Sequence, residues 1–170
     1  MKADMQTRTL AAVLNLLSIA RRCTSAQAGT VYRQESDGLQ FLVTQNDELA
    51  RSVGHAGSAD LLTRVPLRWS ERSIATYVAQ TQTPLNIPDV YAIPPYRPYV
   101  FNPRIDCTTG FHTTSMLVVP LQHPIRGVLQ LINATNQYGD IVSFPRAAEV
   151  EILGLLSLES KLSLAVNGEA

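Results

Sequence analysis

The sequence predicts a single-domain α/β (α+β) fold with a central, mainly antiparallel sheet. Strand patterns come in adjacent pairs, and helical patterns stand at both ends of the chain and between the pairs. Because consecutive strands joined by short turns pair antiparallel, we expect the terminal helices on one face and a ligand pocket on the other. A length of 170 residues, 45% hydrophobic and 16% charged, is typical of one packed domain.

Charge and cysteine content argue against several classes of protein. The chain carries 14 Lys plus Arg and 14 Asp plus Glu, so its charge does not indicate a nucleic-acid polymer or an anionic membrane as partner. Cys23 and Cys107 have neither metal-site spacing nor the density of a disulfide scaffold. No apolar run is long enough to cross a membrane. We therefore expect a cytoplasmic protein without membrane insertion.

The first helix is predicted from about Ala3 to Cys23, because apolar residues recur there at helical spacing. An apolar stretch followed by Ala26-Gln27-Ala28 is also typical of a secretory signal. Arg21 and Arg22 lie between the two, where a signal disfavours charge, so we favour an amphipathic helix. Its apolar stripe contains Leu10, Val13, Leu14, Leu17 and Ala20.

Turn signals separate the predicted strands. One turn lies at residues 35–38, and another at His123-Pro124 joins the last two strands as a hairpin. The predicted strands are Ala28–Arg33, Leu39–Thr44, Leu85–Ile87, Ser115–Leu121 and Arg126–Asn133.

Two more helices complete the predicted fold. One covers Ser70–Thr81, with Ser70 as its N-cap and Glu71 in its first turn. The other covers about Pro145–Val166, with Ser143 as its N-cap.

The last helix is more apolar than packing on a sheet requires. Extra apolar surface is typical of an interface, so we expect a homodimer through the terminal helices. The alternative is that the first helix buries this surface within one chain. One stripe contains Ile152, Leu155, Leu156 and Leu162, and Leu153, Leu158 and Leu164 lie outside it.

Residues 89–109, which we call the lid, are rich in proline and aromatic residues. Proline at this density excludes a regular strand or a long helix. The aromatic side chains indicate packing against the domain, so we expect a covering segment with a short helix. The residues concerned are Tyr91, Pro94, Pro95, Tyr96, Pro98, Tyr99, Phe101 and Pro103.

Catalytic motifs are missing from the sequence. It has no G-x-S-x-G elbow, no P-loop and no H-E-x-x-H. His55, His112 and His123 have no partner at metal-ligand spacing and are expected at the surface or in turns. We therefore expect no catalytic residue, no metal and no cofactor.

Residues 106–114 are the most polar stretch of the chain. Hydroxyls and backbone amides around Gly110 suit a phosphate or the edge of a nucleobase. The alternative is a turn in which Asp106 and the threonines satisfy neighbouring backbone groups. The sequence leaves both alternatives open.

Five blocks of the chain, in order, resemble those of GAF domains. The resemblance covers about residues 5–166. It is best to cyclic-nucleotide-binding GAF domains of phosphodiesterases and cyclases and to those of bacterial signalling proteins. The blocks are residues 73–79, 84–91, 109–113, 116–120 and 127–133.

The resemblance implies a small-molecule pocket under the lid that holds a cyclic nucleotide, cAMP or cGMP. It implies that a helix start offers backbone amides to the phosphate. Thr76 stands there in place of the usual glycine, and its side chain is expected to crowd the phosphate. The implied ligand-binding residues are Thr30, Ile74, Ala75, Asp106, Thr109, Thr113 and Gln130.

Cyclic-nucleotide GAF domains also carry a motif of Asn-Lys, Phe and Asp-Glu. Asn133, Phe144 and Glu149 match it, whereas Ala134 and Ala148 replace the lysine and the aspartate. Those two residues normally form an ion pair. Because both are absent together, no unpaired charge is left inside the fold.

Three functions follow as alternatives. The first is a sensory domain that binds a cyclic nucleotide and relays it through a helical homodimer to an output domain in cis or in trans. The second is a GAF domain with another ligand or none, which acts in dimerisation and relay. The third is a GAF-type redox enzyme, which two distant cysteines argue against.

Overall fold

The computed structural model describes residues 2–51 and 66–167, whose strands form one antiparallel sheet. Those strands are β1 Ala26–Gln34, β2 Gly38–Asn46, β3 Leu67–Arg68, β4 Leu85–Ile87, β5 Met116–Leu121, β6 Gly127–Thr135 and β7 Ile141–Val142. Their order is β3-β2-β1-β6-β5-β4, with β7 beside β6. Every neighbouring pair is antiparallel, so the predicted sheet class is confirmed.

The five predicted strands are all present, each within two residues of its expected bounds. β3 and β7 were not predicted, because a strand of two residues has no periodicity to detect. The expected turn at 35–38 closes with Glu35 N donating to Gly38 O at 2.9 Å.

Four helices are described: α1 Lys2–Thr24, α2 Ile74–Thr81, α3 Arg104–Thr109 and α4 Arg146–Asn167. Residues 47–51 are also helical, and Val90–Ala92 form a 3-10 turn. The lid therefore contains the short helix that was expected. None of the described helices combines the length and apolarity that a membrane span needs.

Helix starts are where the sequence prediction was wrong. Ser73, not Ser70, is the N-cap of α2, and its Oγ accepts from Thr76 N at 3.1 Å. Glu71 is not in the first turn, because the helix begins at Ile74; the Glu71 carboxylate instead accepts from the N–H of Arg68 in β3. Ser143 lies three residues before Arg146, too far from α4 to cap it.

The terminal helices pack on one face of the sheet, as expected. Val13, Leu17 and Ala20 of α1 and Ile152 of α4 belong to a buried cluster with side chains of four strands. Alternate residues of β1 define the two faces, since Val31 points into this cluster and Tyr32 points away from it.

The opposite face of the sheet, which we call the lid face, is covered by α2 and part of the lid. Val78 of α2 and Val90 and Tyr99 of the lid share a second buried cluster with Val118 and Val128 of the sheet. This cluster fixes the lid against the domain. It also places the start of α2 beside the central strands, where the ligand pocket was expected.

Candidate ligand site

Two predicted site residues, Thr30 and Gln130, are direct neighbours on the lid face. They are register partners on β1 and β6, the central strands of the sheet. Thr30 is buried, and its hydroxyl lies 3.1 Å from the Thr44 hydroxyl. Gln130 is half-buried and lies near Tyr32 on the same face, and burial raises the pKa of Tyr32 well above its usual value. The lid face thus carries a short polar row inside an apolar surround.

The predicted backbone contacts lie at the start of α2. Ile74 and Ala75 are buried in the lid-face cluster. The lid passes directly beside them, because Val100 pairs with Ser73 and its N–H donates to Arg72 O at 2.7 Å. The sheet, the helix start and the lid therefore meet at this point.

Thr76 does not project freely into the space beyond the helix start. The residue is 1% exposed, and its hydroxyl donates to Glu71 O at 2.7 Å. It also lies within hydrogen-bond distance of the Ser73 hydroxyl and carbonyl. The hydroxyl at this position therefore stabilises the turn that enters α2.

Asp106 and Thr113 form a compact hydrogen-bonded unit at the end of the lid. The Asp106 carboxylate accepts from Thr113 N and from Thr113 Oγ1, both at 2.8 Å. It also accepts from Tyr91 OH at 2.9 Å. Both Asp106 and Thr113 are buried. We call Tyr91, Asp106 and Thr113 the lid anchor.

Thr109 and Gly110 close the same turn. Gly110 has a φ of 73°, a left-handed conformation that glycine adopts without strain, and its N–H donates to Asp106 O. Thr109 Oγ1 accepts from Phe111 N at 3.2 Å. The contacts of residues 106–113 thus match the local-turn alternative, in which these side chains satisfy nearby backbone groups.

Tyr91 was expected only to pack against the domain; its hydrogen bond to Asp106 could not be predicted, since the two residues are 15 positions apart. Its ring stacks on His112, with centroids 5.2 Å apart and planes at 10°, and meets Phe101 edge-on. Partial desolvation and the adjacent Asp106 carboxylate raise the pKa of Tyr91 to about 12. His112 is exposed, as expected, and His55 lies outside the described residues.

Two cavities are described, and neither is lined by the seven predicted residues. One, of about 510 Å³, lies between the end of α1, the start of β1 and the end of β2. The other, of about 210 Å³, is apolar and lies within the lid, between Tyr91 and Phe101. The structure groups the predicted residues as Thr30 with Gln130, Ile74 with Ala75, and Asp106 with Thr109 and Thr113.

Comparison with known proteins decides the family. The family model of the GAF domain matches residues 9–161, most of the chain. This chain belongs to the GAF domain family. GAF domains are sensory and regulatory domains, and the terminal helices, antiparallel sheet and lid described above are their fold.

Individual relatives agree with the GAF assignment. A cGMP-specific 3',5'-cyclic phosphodiesterase of Drosophila sechellia is 33% identical over 99 residues, which are 56% of this chain and 7% of that protein. The chain therefore spans less than a tenth of the curated relatives that it matches.

Solved structures show the same fold at low sequence identity. A GAF domain/HD domain protein from Geobacter sulfurreducens superposes with a TM-score of 0.65 at 14% identity, covering 89% of this chain and 88% of that one. Free methionine-R-sulfoxide reductase from Neisseria meningitidis superposes with a TM-score of 0.58 at 18% identity, covering 94% and 80%. The fold thus occurs both in a GAF domain/HD domain protein and in a reductase.

The GAF motif around Asn133 has a structural role in this domain. Ala134 and Ala148, which replace the ion pair, are both buried in the terminal-helix cluster together with Phe144. Asn133 is fully buried and binds three partners through its side-chain amide. The two alanines thus belong to one apolar cluster, while the Asn133 side chain makes three hydrogen bonds.

Proposed function

We propose that this GAF domain is a non-catalytic sensory domain that binds a cyclic nucleotide between the lid face and the lid. The observation that carries the proposal is the pairing of Thr30 and Gln130 on the central strands, beside the start of α2. A half-buried amide among apolar side chains suits one edge of a purine, and a helix start suits a phosphate. The matched relatives are cGMP-specific phosphodiesterases, so cGMP is the first nucleotide to test and cAMP the second.

Calorimetry on the purified domain tests this proposal. We expect Gln130→Leu to weaken nucleotide binding by roughly 1–3 kcal/mol, since the base edge loses its partner. Gln45→Leu is the matched control, because Gln45 is also half-buried but contacts Ser18 and Arg21 at the end of α1. Melting temperatures are measured in parallel, because Gln130 is half-buried and its substitution can also change stability. Equal affinity in the wild type and Gln130→Leu would remove this residue from the site.

Amide hydrogen exchange in the lid is a second test of the same proposal. If the nucleotide sits under the lid, amide hydrogen exchange in residues 89–109 slows when cGMP is added, because the aromatic side chains gain a surface to pack against. Exchange that stays equal at saturating nucleotide contradicts a ligand under the lid.

A second candidate function is a GAF domain that relays without a cyclic nucleotide. It is favoured by the internal hydrogen bonds of Thr30, Thr76, Asp106 and Thr113, which already satisfy these side chains. Mass spectrometry of small molecules released from the purified domain separates the two candidates. A nucleotide in the released fraction supports the first, and a different metabolite or none supports the second.

We propose further that the domain is a cytoplasmic homodimer whose terminal helices form the interface and pass the signal to an output domain in cis or in trans. Support comes from apolar side chains that the chain itself leaves uncovered. Leu10 and Leu14 of α1 are 40% and 39% exposed, and Leu153 and Leu158 of α4 are 38% and 60% exposed. The side chains of Leu162 and Leu164 lie outside what the structure describes.

A further inference from the structure

Asn133 joins two parts of the GAF domain that are far apart in the sequence. Its Nδ2 donates to Gln27 Oε1 at 3.0 Å and to His112 O at 2.7 Å. Its Oδ1 accepts from Thr114 N at 2.7 Å. The residue is 0% exposed and has a φ of 56°, so three partly buried hydrogen bonds hold it in a left-handed backbone conformation.

On one side of Asn133, Gln27 leads to the terminal helix. Arg21, in the last turn of α1, donates from Nη2 to Gln27 O at 2.6 Å and from Nε to Ala26 O at 3.3 Å. The same guanidinium pairs with Asp47 at 2.6 Å and donates to Gln45 Oε1. The end of α1 is therefore fixed to the backbone of Gln27 by a largely buried arginine.

On the other side, His112 and Thr114 lead to the lid. They flank Thr113, whose N–H and hydroxyl both donate to Asp106. Asp106 in turn holds Tyr91 at the beginning of the lid. An unbroken series of hydrogen bonds and short backbone segments thus runs from Arg21 to Tyr91.

We infer that the Gln27–Asn133 contact couples the lid anchor to the last turn of the terminal helix. A displacement of the lid anchor moves residues 112–114, and Asn133 cannot follow without losing its partly buried hydrogen bond to Gln27. Coupling of this kind is reciprocal, so a change in α1 also biases the lid. Its meaning as a signalling route rests on the proposed sensory function, whereas the coupling itself needs no ligand.

Hydrogen exchange on the ligand-free domain tests the coupling in one direction. Gln27→Met removes the side-chain acceptor, and Gln27→Glu keeps it. We expect amides of residues 104–114 to exchange roughly five-fold faster in Gln27→Met, the change in an opening equilibrium that one lost hydrogen bond produces. Gln27→Glu should exchange at the wild-type rate.

Two references make this experiment specific. Gln80→Met removes a hydrogen bond from α2 to Trp69 O, which shares no residue with the series, so it should leave the exchange rate of residues 104–114 unchanged. Amides of β5 and β6 report global unfolding. If amide exchange in residues 104–114 and in these strands became faster by the same factor, Gln27 would be a general stabilising residue and the inference would be wrong. An unchanged exchange rate of residues 104–114 in Gln27→Met would also overturn the inference.

A double-mutant cycle tests the opposite direction. Tyr91→Phe removes one hydrogen bond of the lid anchor, and exchange is then followed in residues 18–24 of α1. We expect roughly two-fold faster exchange there in the wild-type background and no change in the Gln27→Met background. Equal effects in both backgrounds would contradict the coupling. Because no nucleotide is added, a failed nucleotide titration and a failed cycle are independent results.

Discussion

At the scale of single residues, the lid depends on one carboxylate. Asp106 is 7% exposed and accepts three hydrogen bonds, two from Thr113 and one from Tyr91. A buried carboxylate is stable only when donors compensate for its lost hydration, and these three donors do so.

Asp106→Ala should therefore lower the free energy of unfolding by roughly 2–3 kcal/mol, because it leaves buried donors of Thr113 unpaired. Tyr91→Phe is the matched comparison, since it keeps the ring contacts with His112 and Phe101 and loses a single hydrogen bond. We expect it to cost about 1 kcal/mol. Urea unfolding measures both. A Tyr91→Phe effect as large as that of Asp106→Ala would show that Thr113 adds nothing.

The raised pKa of Tyr91 predicts a loss of stability at alkaline pH. The folded domain holds this proton up to about pH 12, whereas the usual pKa is 10.0. A tyrosine whose folded pKa is raised stabilises the fold below its unfolded pKa and loses that contribution as pH rises between the two values. The stability difference between wild type and Tyr91→Phe should thus be constant below pH 10 and shrink above it. Thermal melts across this range check the slope, and a difference that grows above pH 10 contradicts it.

At the scale of elements, the close approach of β1 and β6 requires a glycine at position 127. A Cβ built on Gly127, at the start of β6, would lie 1.9 Å from Tyr32 O of β1. No side chain fits there unless the backbone of the two central strands separates. The opposite case is Gly154 of α4, where an added Cβ meets nothing within 4 Å.

Gly127→Ala is expected to destabilise the domain by more than 2 kcal/mol, on the order of an overpacked core position, since β1 and β6 must shift apart. Gly154→Ala should raise stability by up to about 1 kcal/mol, because alanine favours a helix interior. Chemical denaturation of the two variants measures the contrast. Similar midpoints for both would mean that the β1–β6 pair relaxes without cost.

At the scale of the whole molecule, the sheet separates the two proposed surfaces, one for a partner and one for a ligand. One face carries the terminal helices, whose uncovered leucines suit a symmetric partner. The other carries α2 and the lid, where the ligand is proposed to bind. The Gln27–Asn133 contact joins the start of β1 to the end of β6, at one end of the two central strands.

The proposed dimer makes a prediction at this scale. Leu158→Glu places a charge on the most exposed of the four terminal-helix leucines and should shift the mass in solution from dimer to monomer at micromolar concentration. Tyr138→Ser is the control, because Tyr138 is also exposed but lies in the turn between β6 and β7. Multi-angle light scattering measures the mass. A monomeric wild-type chain would contradict the dimer.

The sequence by itself determined the order and class of the elements, because apolar periodicity and turn residues act over a few positions. It determined helix starts less well. Ser70 and Ser73 are both serines and equally suited to cap a helix, and only the folded backbone decides which hydroxyl reaches an amide of α2. The polar stretch 106–114 was evident, but its partners were not.

Only the tertiary structure decided what those polar residues contact. Asp106 meets Tyr91 from 15 residues away, and Asn133 meets Gln27 from 106 residues away. Local composition does not encode these contacts, because they form only when the sheet brings the start of β1, the end of β6 and the segment before β5 together. The pattern of the chain thus specifies which side chains are buried, whereas the folded sheet specifies which buried polar groups satisfy one another.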